Sequence, residues 1–219
     1  AELRSVGQAA QLANPDCRVA LNEASASAAL SGFARSHHGL VCGDRPRMCL
    51  SPFEVARLGL VWIPYCGTVT TNIHFGGKNQ ILRWMAGSGP IRELKGATNL
   101  ETGAWHRRGV VISAMRELPV TLYTGMAFDN NTAVIVPNDD ANLPAIWCFC
   151  SSPEYAEAVR RIDQKLNVTN ATLVKVPFDL VRWTAVANER YPHGLPQPFS
   201  DDPTQWIFPG HPFGSVVWA

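Results

Sequence analysis

The rhythm of apolar and polar positions changes along the chain. Between residues 18 and 36, Val19, Leu21, Ala24, Ala28, Leu30 and Phe33 recur at loosely helical spacings in an alanine-rich, proline-free stretch. That pattern predicts a helix ending near Gly39, which can serve as a C-terminal cap. Beyond Gly39 the texture becomes short apolar runs separated by turn residues. Residues 80–84, 109–113, 120–124 and 132–136 are β-branched or aromatic and bounded by Gly, Pro or Asn, and they are predicted strands. The Asn- and Asp-containing link 126–131 predicts that the last two form a hairpin. After Pro137 the period turns helical. Asn142 as cap and Pro144 near the first turn open a helix over 145–150. Residues 151–154 open a second, either with Ser152 as cap and Pro153 first or as a Ser151/Glu154 capping box. Tyr155, Val159, Ile162 and Leu166 would then form one apolar face. Residues 176–219 are rich in proline and aromatics with little period, and read as a segment laid over the core. The sum is an α+β fold: a strand-rich central region, an N-terminal helix, a C-terminal helical pair and an irregular aromatic tail.

Composition narrows the class more than the fold. The 219 residues, 46% hydrophobic and 17% charged, suffice for one large domain or two small ones with a real core. The 17 glycines and 16 prolines favour many short elements over long helices. No apolar run approaches the roughly 18 residues of a membrane span, and no apolar leader opens the chain, so a soluble cytoplasmic protein with no membrane partner is expected. Six cysteines occur, with Cys42 and Cys49 seven apart, Cys66 alone and Cys148 beside Cys150. Those spacings fit buried free thiols better than a disulfide framework or a zinc site. His37 and His38 near Cys42 keep a metal cluster, or a nucleophile with its base, open as an alternative.

Net charge, at +1, hides an asymmetry. Residues 35–117 hold eleven of the nineteen Lys and Arg but five of the eighteen acids. One basic face toward phosphate and an acidic remainder would produce that balance. Arg45, Arg47, Lys78, Arg83, Arg107, Arg108 and Arg116 sit in or beside predicted turns and strand ends, with Trp62, Trp84 and Trp105 interleaved. Loops on a rigid sheet commonly mount groove-reading side chains. Arg and Lys contact phosphate and pair with guanine, while amides such as Asn79 and Gln80 pair with adenine. The bland reading is that the tryptophans are core and the arginines solvated. No phosphate-cradling glycine loop and no G-x-S-x-G elbow is present.

Three stretches carry a family resemblance. His38-Gly39-Leu40-Val41-Cys42-Gly43-Asp44-Arg45-Pro46-Arg47, followed by Phe53-Glu54-Val55, resembles the turn that opens the target recognition (specificity) domain of adenine-specific DNA methyltransferases. The match is to large type II restriction–modification enzymes and their phage-defence relatives. Residues 105–131, with Gly109-Val110-Val111-Ile112-Ser113 and Phe128-Asp129-Asn130-Asn131-Thr132, resemble the family's central strand pair. Val176-Pro177-Phe178-Asp179, Trp183 and residues 202–212 resemble its closing segment. The resemblance spans residues 18–215 in family order. Cys42 stands where threonine is usual, Met48 where an aromatic is expected, and residues 68–75 match nothing in the family.

The resemblance implies a non-catalytic, DNA-reading domain over residues 18–219, with residues 1–17 as the remnant of a linker. Its partners would be double-stranded DNA and a methyltransferase catalytic domain of the same polypeptide. S-adenosylmethionine would bind that missing domain; the Asn-Pro-Pro-aromatic motif beside a flipped adenine is absent here, where Asn14-Pro15 is followed by Asp16. DNA contacts are expected from Arg45, Arg47, Lys78, Asn79, Arg83, Arg107, Arg108 and Arg116, with charge reversal at Arg83 costing roughly 1–3 kcal/mol of binding if it reads a base. Two rivals remain. A standalone hydrolase or metal-dependent enzyme would use the Cys and His residues near Cys42. A protein-interaction domain would use the aromatic tail of Phe199, Trp206, Phe208, Phe213 and Trp218.

Overall fold

A computed structural model describes residues 28–196, 202–208 and 210–212, together with Gly7, Ala9 and Phe199. Among the described residues, two four-stranded sheets and four α-helices make the α+β fold. In chain order the elements are β1 (Ala34–His38), α1 (Arg45–Met48), β2 (Cys49–Leu50), β3 (Trp62–Cys66) and β4 (Gln80–Arg83). There follow β5 (Gly109–Ser113), β6 (Val120–Tyr123), β7 (Ala127–Phe128), β8 (Thr132–Pro137), α2 (Leu143–Cys150), α3 (Pro153–Ile162) and α4 (Leu180–Arg190). A small ribbon of β9 (Trp206–Ile207) and β10 (His211–Pro212) comes last.

The first sheet has the order β1-β8-β5-β6 and is antiparallel throughout. Every residue of β5, β6 and β8 is buried, which explains their unbroken apolar runs: side chains alternate across the sheet, and here both faces are covered. Val110, Ile112, Val120, Leu122, Ala133 and Ile135 face the helices, where Ile146, Phe149, Tyr155, Val159, Leu173, Phe178 and Trp183 complete the main core. Val111, Tyr123, Val134 and Val136 point the other way, against Cys66, Ala104 and Phe128. The second sheet, β2-β4-β3-β7, is shorter. It joins the first through β7 and the residues after it: β7 pairs parallel with β3, and Leu40, two residues beyond β1, bridges to Asp129.

Several expectations are corrected. Residues 34–38 of the predicted N-terminal helix are a strand, and Leu30–Gly32 is a single 3-10 turn. Register against β8 from Ala34↔Pro137 to His38↔Ala133 outweighs the local helical spacing, because the buried sheet needs an edge strand there. Residues 18–27 lie outside the described residues. The predicted hairpin of residues 120–136 does not form, since β5 lies between β6 and β8 and the link departs to build β7. Asn142 makes no side-chain cap; Asp139 accepts from the Ala141 N–H one turn earlier. The second helix starts with Ser152 as cap and Pro153 in the first turn, and Ser151 instead bonds back to Trp147. It ends at Ile162, leaving Leu166 67% exposed instead of on the apolar face. Within the segment read as irregular, α4 forms with Asp179 capping the Arg182 N–H and with Trp183 and Ala187 buried. The other part of that reading holds, because Val176 and Phe178 lie in the core.

Candidate nucleic-acid interface

The loop between β1 and α1 is positioned by a backbone approach that admits only glycine. A Cβ on Gly39 would stand 1.9 Å from the Asp129 carbonyl oxygen. That closeness lets the Leu40 N–H donate to the Phe128 carbonyl at 2.8 Å and seats the chain beside β7. Gly43 then takes φ +75, and Asp44 accepts from the Arg47 N–H while Pro46 occupies the first turn of α1. The outcome is a one-turn helix with Arg45 and Arg47 exposed on its surface.

Asp129 organises what surrounds it. It is 2% exposed, and its carboxylate accepts from Arg45 Nη1 at 2.6 Å, from the Tyr65 hydroxyl at 3.1 Å and from the Asn131 backbone N–H and Nδ2 at 2.8 Å each. Its own N–H donates to the Cys66 carbonyl, and its carbonyl accepts from the Thr132 N–H and hydroxyl. A buried charge so surrounded is compensated, and it holds the Arg45 guanidinium by one edge. The other edge donates to the Gln80 side-chain oxygen.

A second glycine pair sets β4 beside this hub. The Gly67 N–H donates to the Gly77 carbonyl at 2.7 Å, and a Cβ on Gly77, at φ +69, would come within 2.5 Å of the Gly67 oxygen. Asn79 and Gln80 thereby reach the neighbourhood of Arg45, with Asn79 exposed. Lys78, just before them, turns inward. It is 1% exposed, its ammonium lies 5.0 Å from the centroid of the Phe75 ring, and burial lowers its pKa to about 8. The expectation that Lys78 touches DNA is corrected: its side chain lies in the interior, two residues before β4.

The remaining predicted contacts do not converge on one spot. Arg47 is exposed and 3.6 Å from Asp44. Arg83 ends β4, at the opposite end from Gln80, paired in register with Trp62 and half-buried. Arg107 donates to the Pro137 carbonyl at 2.7 Å, and Arg108 beside it is exposed, both just before β5. Arg116 lies past the other end of β5, about 17 Å away along an extended strand of five residues. There it takes φ 54, and its carbonyl accepts from Arg160. The structure therefore gathers Arg45, Arg47 and Asn79, and sets Arg83, Arg107 with Arg108, and Arg116 apart. Of the three tryptophans, Trp84 is buried, with its ring 5.0 Å from Trp105, while Trp62 and Trp105 are half-buried. Arg92, not among the predicted contacts, is exposed, stacks over Trp84 at 5.6 Å and pairs with Glu101.

Nor do the cysteines and histidines near Cys42 assemble as a nucleophile and base. His38 Nδ1 is 3.2 Å from Asn99 Nδ2, and His37 packs beside Gly103. Burial first, then Arg107 and Arg35, lowers the His37 pKa. Among the described residues no three His, Cys, Asp or Glu side chains gather as a metal site. Five cysteines, Cys42, Cys49, Cys66, Cys148 and Cys150, are free and buried; Cys17 lies outside the described residues. No helix among the described residues is long and apolar enough to cross a membrane. The chain matches no family model and no curated protein.

Tyr65, which helps to position Arg45, was not singled out in the sequence, and Asp129 entered only as a turn residue and as part of the second stretch of resemblance. Asp129 carries a faint signal, an acid between β-branched strands followed by two asparagines. Such a residue reads first as a turn former. Tyr65 carries none, since a strand tyrosine is ordinary.

Proposed function

We propose that this chain is the DNA target recognition domain of an N6-adenine methyltransferase of a restriction–modification or phage-defence system. The observation that carries the reading is the clasp between Arg45 and Asp129. It ties the first stretch of family resemblance to the second, and it leaves Arg47, Asn79 and the Gln80 amide grouped around one exposed loop. Arg47 faces phosphate. The Asn79 and Gln80 amides are suited to adenine edges, and Arg45, held by one edge on a buried carboxylate, offers a pre-oriented guanidinium. Pre-orientation matters because ordering a long side chain on binding costs about 0.5–1.5 kcal/mol. The domain holds the duplex while a catalytic domain elsewhere in the polypeptide binds S-adenosylmethionine and flips the adenine.

Fluorescence anisotropy with random duplex DNA, titrated at low and moderate salt, tests this. Salt-sensitive binding is expected, with Arg47→Glu lowering affinity and flattening the salt dependence by about one phosphate contact. Binding that ignores both salt and this substitution would remove the face from consideration. Fusing the chain to a complete methyltransferase domain should create a new methylation site; an unchanged methylation pattern would count against the reading.

A further inference from the structure

The end of the second sheet away from Gln80 carries apolar side chains set in water. Two turns lie side by side there. The first, residues 59–62, leads into β3 and is closed by the Gly59 N–H on the Trp62 carbonyl at 3.0 Å. The second, residues 84–89, leaves β4 after Arg83, which is paired in register with Trp62. The Trp84 and Met85 N–H groups donate to the Val61 carbonyl at 2.8 and 3.2 Å, and the Ala86 N–H donates to the Leu60 carbonyl at 2.6 Å. Those bonds seat Met85 beside Leu60 and Val61. All three side chains are exposed, Leu60 at 76%, Val61 at 45% and Met85 at 36%. The second turn is also strained. Met85 and Ala86 are consecutive non-glycine residues in the left-handed region, at φ 50 and 55, a conformation that persists where neighbours over-determine it. The Ser88 N–H and hydroxyl donate to the Met85 carbonyl at 3.1 and 2.9 Å, and Arg92 donates to the Gly87 carbonyl. A Cβ on Gly89 would stand 3.0 Å from the Met85 Cβ, so glycine there makes room for Met85. The hydrophobic core gains little from a turn whose apolar side chains face water. A rigid apolar tip needs one.

We infer that Leu60 and Met85, backed by Val61, form a wedge that enters a base-pair step of duplex DNA and partly unstacks it, an inference that rests on the DNA-reading proposal. Leucine and methionine are among the side chains that act this way. Arginines surround the tip: Arg57 precedes Gly59 by two residues, Arg83 ends β4 directly before Trp84, and Arg92 stacks over the Trp84 ring at 5.6 Å. Of the acids on the same segment, Glu101 is paired with Arg92 and Glu93 is exposed. An apolar point with cations at its base matches a base-pair step, whose ring faces are flanked by phosphates. Three side chains also present far less than the roughly 800 Å² per partner of a stable protein–protein interface, whereas a wedge is small by nature. Placement agrees. Gln80 and Arg83 at the two ends of β4 are about 10 Å apart along an extended strand, roughly three base-pair rises of 3.4 Å. A duplex lying along β4 therefore reaches both the Asn79 and Gln80 amides and the wedge. Opening a step there weakens the stacking of an adenine that a catalytic domain must flip.

Unstacking a step unwinds the duplex wherever it occurs, so the test needs no knowledge of the recognised sequence. Closed circular plasmid DNA is relaxed by a type I topoisomerase in the presence of the chain, deproteinised and resolved on a gel, while anisotropy reports the fraction bound. Wild type is expected to shift the topoisomer distribution as binding increases. Leu60→Ser combined with Met85→Ser should still bind but lose the shift, and Met85→Leu should keep it. These side chains are exposed, so the urea midpoints of both variants should match wild type. Wild type that binds without shifting the topoisomers, or a double variant that shifts them equally, would overturn the wedge and leave the DNA-reading proposal standing. A dimer seen in sedimentation and abolished in the double variant would assign the tip to a second copy of the chain, and would overturn the wedge as well. No affinity for duplex DNA even at low salt would overturn both proposals together.

Discussion

The two sheets are held together by different physics. In the first, β5, β6 and β8 are buried along their whole length between the helices and a second apolar layer. In the second, β2 and β7 are two residues long, β4 is only half-buried at both ends, and β3 contains Pro64. Pro64 is tolerated because only the β4 side of β3 is paired at that position. What replaces apolar area in the second sheet is a small set of specific contacts: the Asp129 hub, two glycine close approaches and the Arg92–Trp84 stack. Left-handed backbone at Met85, Ala86, Asn99 and His106 belongs to the connections around it. Such conformations each cost of order 1–3 kcal/mol and persist where neighbours over-determine them. The first sheet is a scaffold that many hydrophobic sequences could fill. The second spends stability on placing a few polar side chains at a surface, as the proposed DNA-reading role would require.

Substitutions of decreasing effect can break or sharpen this contrast. Phe149 packs at 5.2–5.3 Å against Tyr155, Phe178 and Trp183 at the centre of the first core. Phe149→Ala should cost about 3–5 kcal/mol in urea denaturation. In the second sheet, Asp129→Ala should cost about 3 kcal/mol, because it strands the Asn131 and Tyr65 donors and frees Arg45. A loss below 1 kcal/mol would show that the hub is not what holds this region.

Lys78 offers a change of opposite sign. Burial lowers its folded-state pKa from 10.5 to about 8. Below pH 8 both states carry the proton, and the shift corresponds to about 3 kcal/mol against the fold. Between pH 8 and 10.5 the unfolded chain binds more protons than the folded one, so this contribution makes stability rise with pH. Lys78→Met should therefore stabilise the chain at pH 7, and its advantage over wild type should fade across that window. A pH-independent difference would place the ammonium in water. Smallest of all, Leu166→Ser should change stability by less than about 0.5 kcal/mol, since Leu166 lies beyond α3 in solvent.

The strands 80–83, 109–113, 120–123 and 132–137, the helix beginning at Leu143 and the Ser152-Pro153 start of the next were legible because their signals are local: β-branched runs between breakers, and caps with proline in the first turn. α4 was also within reach, through Asp179 as cap and the four-residue spacing of Trp183 and Ala187. Density of proline around it hid the period. The candidate site was half legible. The Gly-Asp-Arg-Pro-Arg turn marked Arg45 and Arg47 as exposed, but spacing in sequence says nothing of which arginines share a face.

The sequence by itself determined the α+β class, most of the elements and the loop that displays Arg45 and Arg47, because propensity, capping and periodicity act over a few residues. Tertiary structure alone decided that residues 34–38 extend as a strand, that β5 separates β6 from β8, and that Lys78 turns inward while Asn79 stays outside. It also decided that Asp129, 84 residues from Arg45, clasps it. Those outcomes depend on pairing and burial between distant segments, where the gain of closing a buried sheet or satisfying a buried charge exceeds any local preference.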